Sequence, residues 1–261
     1  MLRWLASLPA LALFTLFAAF GIALTWAFDK VMRRFVTPET RERASSTASV
    51  TLQVTATIYA ILIAFVIIDA YGQIRTTQSQ ISDKAANLSV ISENSRAFPD
   101  VVGQQIRTGA IRYGRAVIDT GFPRLKRTGD ASPVTNARLE ALFRSVQKLE
   151  PVSQAERTAY DSMVHALDGI VQTRENLINS SEATVPGTLL ALLVVIGMTV
   201  MAIATVLDTR HRRSHLFILS ALALVIWLTL ALVVSMTYPF TGSIAVTDSP
   251  VREFVEARAA R

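Results

Sequence analysis

The sequence predicts an all-α, polytopic membrane protein with four transmembrane helices and a helical soluble domain inserted between the second and third. Hydrophobic residues make up 51% of the 261 residues and charged residues 18%, with a mean hydropathy of +0.38. These values are typical of membrane proteins. Four apolar runs are each close to the roughly 20 residues that a helix needs to cross a bilayer. Between the second and third runs, apolar residues recur with helical spacing.

These patterns divide the chain into four parts. The predicted parts are a first transmembrane hairpin at 1–69, with spans at 4–28 and 50–69, a soluble domain at 70–184, a second hairpin at 185–238, with spans at 186–207 and 216–238, and a C-terminal tail at 239–261. The first span is longer than the apolar core of a signal peptide, which is usually about 7 to 15 residues. We therefore expect it to be retained.

The second span and the soluble domain are expected to share one helix from Val50 to Phe98. This stretch holds no proline and one interior glycine, Gly72. Beyond the span, six residues recur at alternating intervals of three and four positions, the spacing of a helix face that packs on other helices. They are Tyr71, Ile74, Gln78, Ile81, Ala85 and Leu88. Pro99 ends the helix because proline has no amide proton and disfavours helical geometry in the residue before it.

Three further soluble helices follow, separated by proline and glycine signals. Their predicted inward residues are Val102, Ile106, Ala110, Tyr113 and Val117 in the first, Leu139, Leu142, Val146 and Leu149 in the second, and Tyr160, Val164, Leu167, Val171 and Ile178 in the third. Residues 121–133 are expected to form a loop. Ser153 and Glu156 have the spacing of a capping box and should open the last helix.

The composition argues against several function classes. Residues 70–184 contain 14 Lys and Arg against 12 Asp and Glu, so no nucleic-acid-binding stripe is expected. With no cysteine there is no thiolate or disulfide chemistry. No phosphate loop or nucleophile elbow occurs, and we expect neither an enzyme nor a cofactor. His211 and His215 have a spacing that suits a metal, but three neighbouring arginines favour a basic hairpin at the lipid headgroups instead.

The second span carries the polar residues of the membrane part. Ionisable residues lie only at the edges of the spans, at Asp69 and Asp208, which argues against a proton-coupled transporter. A stripe of small or polar residues runs along the second span: Gln53, Thr57, Ala60 and Ala64. Such a stripe serves helix packing in many membrane proteins. The alternative is that it lines a pore.

Three stretches carry a resemblance to a known family. They are IYAILIAFVIIDAY, QSQISDKAANLSVISENSRAFP and the C-terminal YPFTGSIAV. Together they resemble the DUF4239 family, bacterial membrane proteins described as bestrophin-like, over about residues 47–246. The resemblance implies a bacterial inner (cell) membrane protein and a pentameric homo-oligomer that conducts inorganic anions. It also implies that the second span lines the pore and continues into a cytosolic helical domain.

The resemblance also assigns residues. The IAF sequence is similar to the LGF motif of bestrophins, which implies that Thr57, Ile61 and Phe65 form the hydrophobic constriction. The arginine and paired tryptophans that follow that motif are replaced here, and no acidic calcium cluster matches. In YPFTG, the residues Pro239, Phe240 and Gly242 indicate a turn where the last span leaves the membrane, with a gate as the alternative.

The charges predict an orientation opposite to the bestrophin arrangement. The two short connectors, 29–49 and 208–214, carry eight Lys and Arg, so the positive-inside rule puts them in the cytoplasm and the soluble domain outside. The bestrophin arrangement puts that domain in the cytosol. Two functions stay open: an oligomeric ion channel, or a structural or sensory membrane protein whose helical domain binds a partner.

Overall fold

The structure, a computed structural model, describes residues 9–35, 37–181, 184–207, 212–240 and 245–259. Over these ranges it contains nine α-helices and no strand. The helices are α1 (Ala10–Phe35), α2 (Pro38–Asn94), α3 (Asp100–Ala116), α4 (Phe122–Arg127), α5 (Pro133–Gln147), α6 (Gln154–Asn179), α7 (Gly187–Val206), α8 (Arg212–Met236) and α9 (Ser249–Ala259). By length and composition, α1, α2, α7 and α8 can each cross a membrane, as the four apolar runs predicted.

The predicted polar connector at 29–49 is mostly helical, which corrects the sequence interpretation. α1 continues to Phe35 and α2 already begins at Pro38. Proline is compatible with the first turn of a helix because the amide proton it lacks has no helical partner there. Arg33 also pairs with Asp29 one turn earlier, at 2.9 Å, which supports the extension of α1.

The long second helix is continuous, as predicted. α2 spans 57 residues through Gly72, which corresponds to a length of about 85 Å at 1.5 Å per residue. It passes into a single tight turn, Ser95–Ala97, and Phe98 is extended before Pro99. This ending follows from the restriction that proline places on the residue before it.

One compact unit comprises Met1–Gly72 and Ala183–Ile244. Its helices approach closely at glycines. Gly21 of α1 lies against the indole of Trp227 on α8, and a Cβ on Gly197 of α7 would lie 3.1 Å from Ile226 and 3.6 Å from the Tyr59 ring. Trp227 also makes an edge-on ring contact with Phe20 at 5.1 Å. Small residues allow such close packing between membrane helices.

The other unit comprises Gln73–Glu182 and Ala245–Arg261. Its fully buried side chains come from α2, α3, α5, α6 and α9 and include Ile81, Leu88, Ile91, Ile106, Tyr113, Leu142, Met163, Leu167, Ile170 and Val251. Most of the predicted seam of α2 is buried here, although Tyr71 at its start is 49% exposed. The capping box at the start of α6 is confirmed: the Glu156 amide donates to Ser153 Oγ at 3.1 Å, and the Ser153 amide donates to Glu156 Oε2 at 3.2 Å.

Two local predictions in this unit were wrong. Residues 121–133, expected to be a loop, contain the helix α4, with Pro123 in its first turn. A widened helical turn, Val117–Gly121, joins it to α3. In α6 the buried face was assigned one position off, because small residues contribute to it: Ala159, Met163, Ala166, Leu167, Ile170, Thr173 and Leu177. Leu167 was predicted correctly, whereas Tyr160, Val164, Val171 and Ile178 are only partly buried.

Residues predicted as a C-terminal tail include a packed helix. Val255 of α9 lies against Gly114 of α3, where an added Cβ would be 2.7 Å from Val255 Cγ2. Just before α9, the Thr247 amide donates to Gln78 Oε1 at 2.9 Å. α9 is thereby fixed to the second unit.

Candidate functional site

The apolar part of α2 has one face buried within the chain. Tyr59 and Ile63 are each 6% exposed, Val66 is 8% exposed and Ala70 is fully buried. These residues recur at intervals of three and four, the spacing of one helical face. This face packs against the rest of the first unit.

The opposite face of α2 holds every pore residue that the sequence predicted. Ile61 is 52% exposed and Phe65 66% exposed, and the other members of the set are exposed as well: Gln53, Thr57, Ala60 and Ala64. Since no residue that the structure describes buries them, we infer that whatever covers this face lies outside a single copy. We call it the open face of α2, defined by these six residues.

The open face is apolar at its centre and polar toward one end. The Thr57 hydroxyl donates to the main-chain carbonyl of Gln53 at 2.7 Å, so the helix itself satisfies this hydroxyl. The side chain of Gln53, which carries a primary amide one turn away, is exposed. A primary amide prefers water or a hydrogen-bonding partner to hydrocarbon. The open face thus combines apolar side chains with a group that favours a hydrated surrounding.

The C-terminal motif lies at the end of α8. The helix ends at Met236, and the Thr184 amide donates to the Thr237 carbonyl at 2.8 Å, which ties this end to the segment before α7. Phe240 is only 1% exposed and Pro239 is buried. Gly242 lies outside the described residues. The buried phenyl ring anchors the chain where the last apolar helix ends.

A buried polar cluster that the sequence analysis missed joins α1 to α8. Asp29 Oδ1 lies 3.2 Å from His215 Nε2, and Asp29 Oδ2 accepts a hydrogen bond from Arg33 Nε at 2.9 Å. His215 is 2% exposed and Asp29 3% exposed. The carboxylate therefore holds the His215 ring inside the unit, so this side chain is not exposed on the basic hairpin. His211 lies outside the described residues.

Only part of this cluster had a signal in the sequence. Asp29 and Arg33 are four residues apart, which indicates a helical ion pair. His215 is 186 residues from Asp29, so no local pattern connects them. The carboxylate of Asp29 contacts Arg33 on its own helix and His215 on α8, and it thereby links the two helices.

The fold is similar to that of bacterial bestrophin homologs. A point mutant of a bestrophin homolog from Klebsiella pneumoniae matches with a TM-score of 0.71 at 12% identity, covering 94% of this chain and 99% of that one. A second mutant of a Klebsiella pneumoniae homolog matches with a TM-score of 0.67 at 11% identity, covering 95% and 96%. A structure described as a membrane protein matches with a TM-score of 0.67 at 9% identity, covering 94% and 96%.

Sequence comparison agrees with the fold. No curated protein matches the chain, but the model of the bestrophin-like domain matches residues 8–251. This match covers nearly the whole chain, including the four apolar helices and the helices between them. The protein is a helical membrane protein, and the chain belongs to the bestrophin-like family.

Proposed function

We propose that the protein is an oligomeric ion channel of a bacterial cell membrane, with α2 of each copy lining the pore. The observation that carries this proposal is the open face of α2, which includes Thr57, Ile61 and Phe65. Of the most apolar window of α2, 17% is buried within the chain, the same share as for α1 and less than the 44% for α8. A helix that uses so little of its surface inside its own chain has most of it free to face a lumen or neighbouring copies.

Lipid alone is a less suitable covering for this face. Gln53 would place an unpaired amide in hydrocarbon, which costs free energy. Ala60 and Ala64 leave room for a neighbouring helix or for water. A ring of α2 helices around a hydrated axis satisfies both features. It also places the polar end and the apolar centre of the open face along one conduit.

The constriction of this pore is hydrophobic. Ile61 and Phe65, with Thr57 one turn along, are spaced by four residues and lie on one side of α2. Rings of apolar side chains close a pore by excluding water, and they need no charged selectivity group. The resemblance to DUF4239 and bestrophin proteins supports this position for the constriction, a pentameric assembly and anions as the conducted species.

Oligomeric mass and conductance together test the proposal. We expect the purified protein in nanodiscs to have the mass of a closed ring. The variant combining Ile61→Ala with Phe65→Ala should keep that mass and pass larger or leakier currents in bilayers, because the constriction is wider and better hydrated.

The matched control replaces exposed apolar residues on other spans. Val195 of α7 is 59% exposed and Val225 of α8 61% exposed. The variant combining Val195→Ala with Val225→Ala removes similar side chains away from the open face, and its currents should equal those of the parent. A monomeric mass, or bilayers that stay silent with both the parent and a well-folded pore variant, would reject the channel and favour a partner-binding scaffold.

We also propose that the helices between the second and third spans face the cytoplasm, as in the bestrophin arrangement. The positive charge of the connectors opposes this orientation. However, Arg41 is 3% exposed, so one of the connector cations does not project into water. This reduces the charge difference on which the outward orientation depends.

Cysteine labelling tests the orientation in a chain that has no natural cysteine. Thr40→Cys lies on the connector side. Val152→Cys, at a position that is 84% exposed, lies between α5 and α6. Gly129 is less suitable because its φ of 83° strains any side chain. A reagent that cannot cross the membrane should label Thr40→Cys in spheroplasts and spare Val152→Cys. The reverse pattern would favour the charge-based orientation.

A further inference from the structure

The second unit contains a buried lysine without an acidic partner. Lys84 on α2 is 5% exposed. Among the described residues, its ammonium has neither a hydrogen-bond acceptor nor a carboxylate beside it. Burial, and then the nearby charge of Arg174, lower the pKa of Lys84 to about 8. Buried charges are normally paired, because removing an ion from water without compensation is costly.

The groups around this lysine are donors. Arg174 on α6 uses its Nε to donate to Asn136 Oδ1 at 3.0 Å. The positive charge of Arg174 affects the pKa of Tyr113 as well as that of Lys84. The Tyr113 hydroxyl is buried without a hydrogen-bond partner, and burial raises its pKa, so it remains a protonated donor. Two cationic side chains and a hydroxyl donor therefore lie near one another around Arg174.

Lys84 and Arg174 line a small cavity of about 30 Å³. Among the residues that the structure describes, no other charged side chain lines it. The rest of the lining is mostly apolar, including Ile81, Val117, Phe122, Leu125, Leu177 and Val251, with the polar residues Ser132, Thr135 and Asn136 beside them. A water molecule needs roughly 10 to 15 Å³ of such space, so the cavity admits a small occupant the size of a water molecule or somewhat larger. A neutral water would accept hydrogen bonds, but it would not compensate two like charges.

We propose that this cavity binds one small monovalent anion of halide size, held between the Lys84 ammonium and the Arg174 guanidinium. The anion supplies the missing countercharge and accepts hydrogen bonds from both cations. This site belongs to the second unit, is separate from the open face of α2 and does not depend on ion conduction.

Anion-dependent thermal stability tests the site without any current measurement. The purified full-length protein is transferred from sodium gluconate to sodium chloride at constant ionic strength and neutral pH. A ligand that binds only the folded state raises the unfolding temperature in a saturable manner, here by an expected few degrees. Bromide should act like chloride.

Two lysine variants make the result specific. Lys84→Met should lose the chloride-dependent shift, whereas Lys148→Met, at an exposed position at the end of α5, should keep it. Arg174→Gln should raise the half-saturating chloride concentration about tenfold or more, because a charge-assisted contact is lost. Equal chloride responses from the parent and Lys84→Met, or no saturable response from the parent, would overturn the proposal.

If Lys84→Met does not fold, a spectroscopic measurement on two other proteins tests the site instead. The width of the chloride NMR line, measured on the folded parent and on Arg174→Gln, reports exchange of the ion with the site. Broadening by the parent that bromide reverses and that Arg174→Gln weakens supports the site. Equal broadening by both proteins rejects it.

Discussion

Gly21 is the point where α1 comes closest to α8, and replacing it with alanine should destabilise the first unit. A Cβ at this position would lie 2.1 Å from Trp227 Cδ1, 2.3 Å from Cγ and 2.9 Å from Cβ. Ordinary contacts begin at 3.4 Å, so the separation must grow by more than 1 Å. The indole cannot simply rotate away, because its own Cβ is too close and Phe20 packs on its ring.

This clash sets the expected size of the effect. Overpacking of a well-packed interior costs typically about 1 to 3 kcal/mol. Since the backbone of α1 has to move, we expect a value near the upper end, about 3 kcal/mol. For a protein of this size, that corresponds to a decrease of roughly 6 to 12 °C in the unfolding temperature.

Thermal unfolding of the purified protein in detergent measures the change, and Gly72→Ala is the matched control. Nothing lies within 4 Å of a Cβ at Gly72, and alanine favours helix by about 1 kcal/mol over glycine. Gly72→Ala should therefore unfold at or above the parent temperature. In a Trp227→Ala background, Gly21→Ala should cost much less, because the clashing ring is absent. A Gly21→Ala protein as stable as the parent, or the same cost in both backgrounds, would refute the packing described here.

Three further predictions concern the second unit. In halide-free buffer, Lys84→Met should stabilise the protein by about 3 kcal/mol at pH 7. The pKa of Lys84 is lowered from 10.5 to about 8, so its penalty is complete below pH 8 and is relieved as the pH rises toward 10.5; a gain that does not shrink between pH 7 and pH 10 would contradict this. Ser153→Ala should cost about 1 kcal/mol in denaturant unfolding through loss of the capping box, whereas Ser82→Ala, at an exposed position on α2, should cost less. Gly114→Ala should push Val255 away, because the added Cβ would lie 2.7 Å from Val255 Cγ2; faster amide hydrogen exchange in α9 would report this, and unchanged exchange would oppose it.

Local patterns in the sequence determined much of the helical architecture. The four apolar runs, the continuous helix through Gly72 and its end before Pro99 depend on hydropathy, on the absence of helix breakers and on the restriction before proline. The capping box of Ser153 and Glu156 depends on a spacing of three residues. The spacing of Thr57, Ile61 and Phe65 likewise predicts that the three residues share one face of α2. These features involve neighbours along the chain, so the order of the residues is sufficient to predict them.

Only the tertiary structure decided which faces are covered and which distant residues meet. Periodicity defines the faces of α2, but it does not predict which face is buried. Only the structure shows that Tyr59 and Ile63 are buried while Ile61 and Phe65 are exposed. The pairing of Asp29 with His215 and the burial of Lys84 without a carboxylate depend on helices far apart in the sequence. The buried face of α6 was misassigned for the same reason: its partners, and not its own hydrophobicity, select the small residues that pack. Burial is a property of pairs of helices, and the sequence of either helix alone does not contain it.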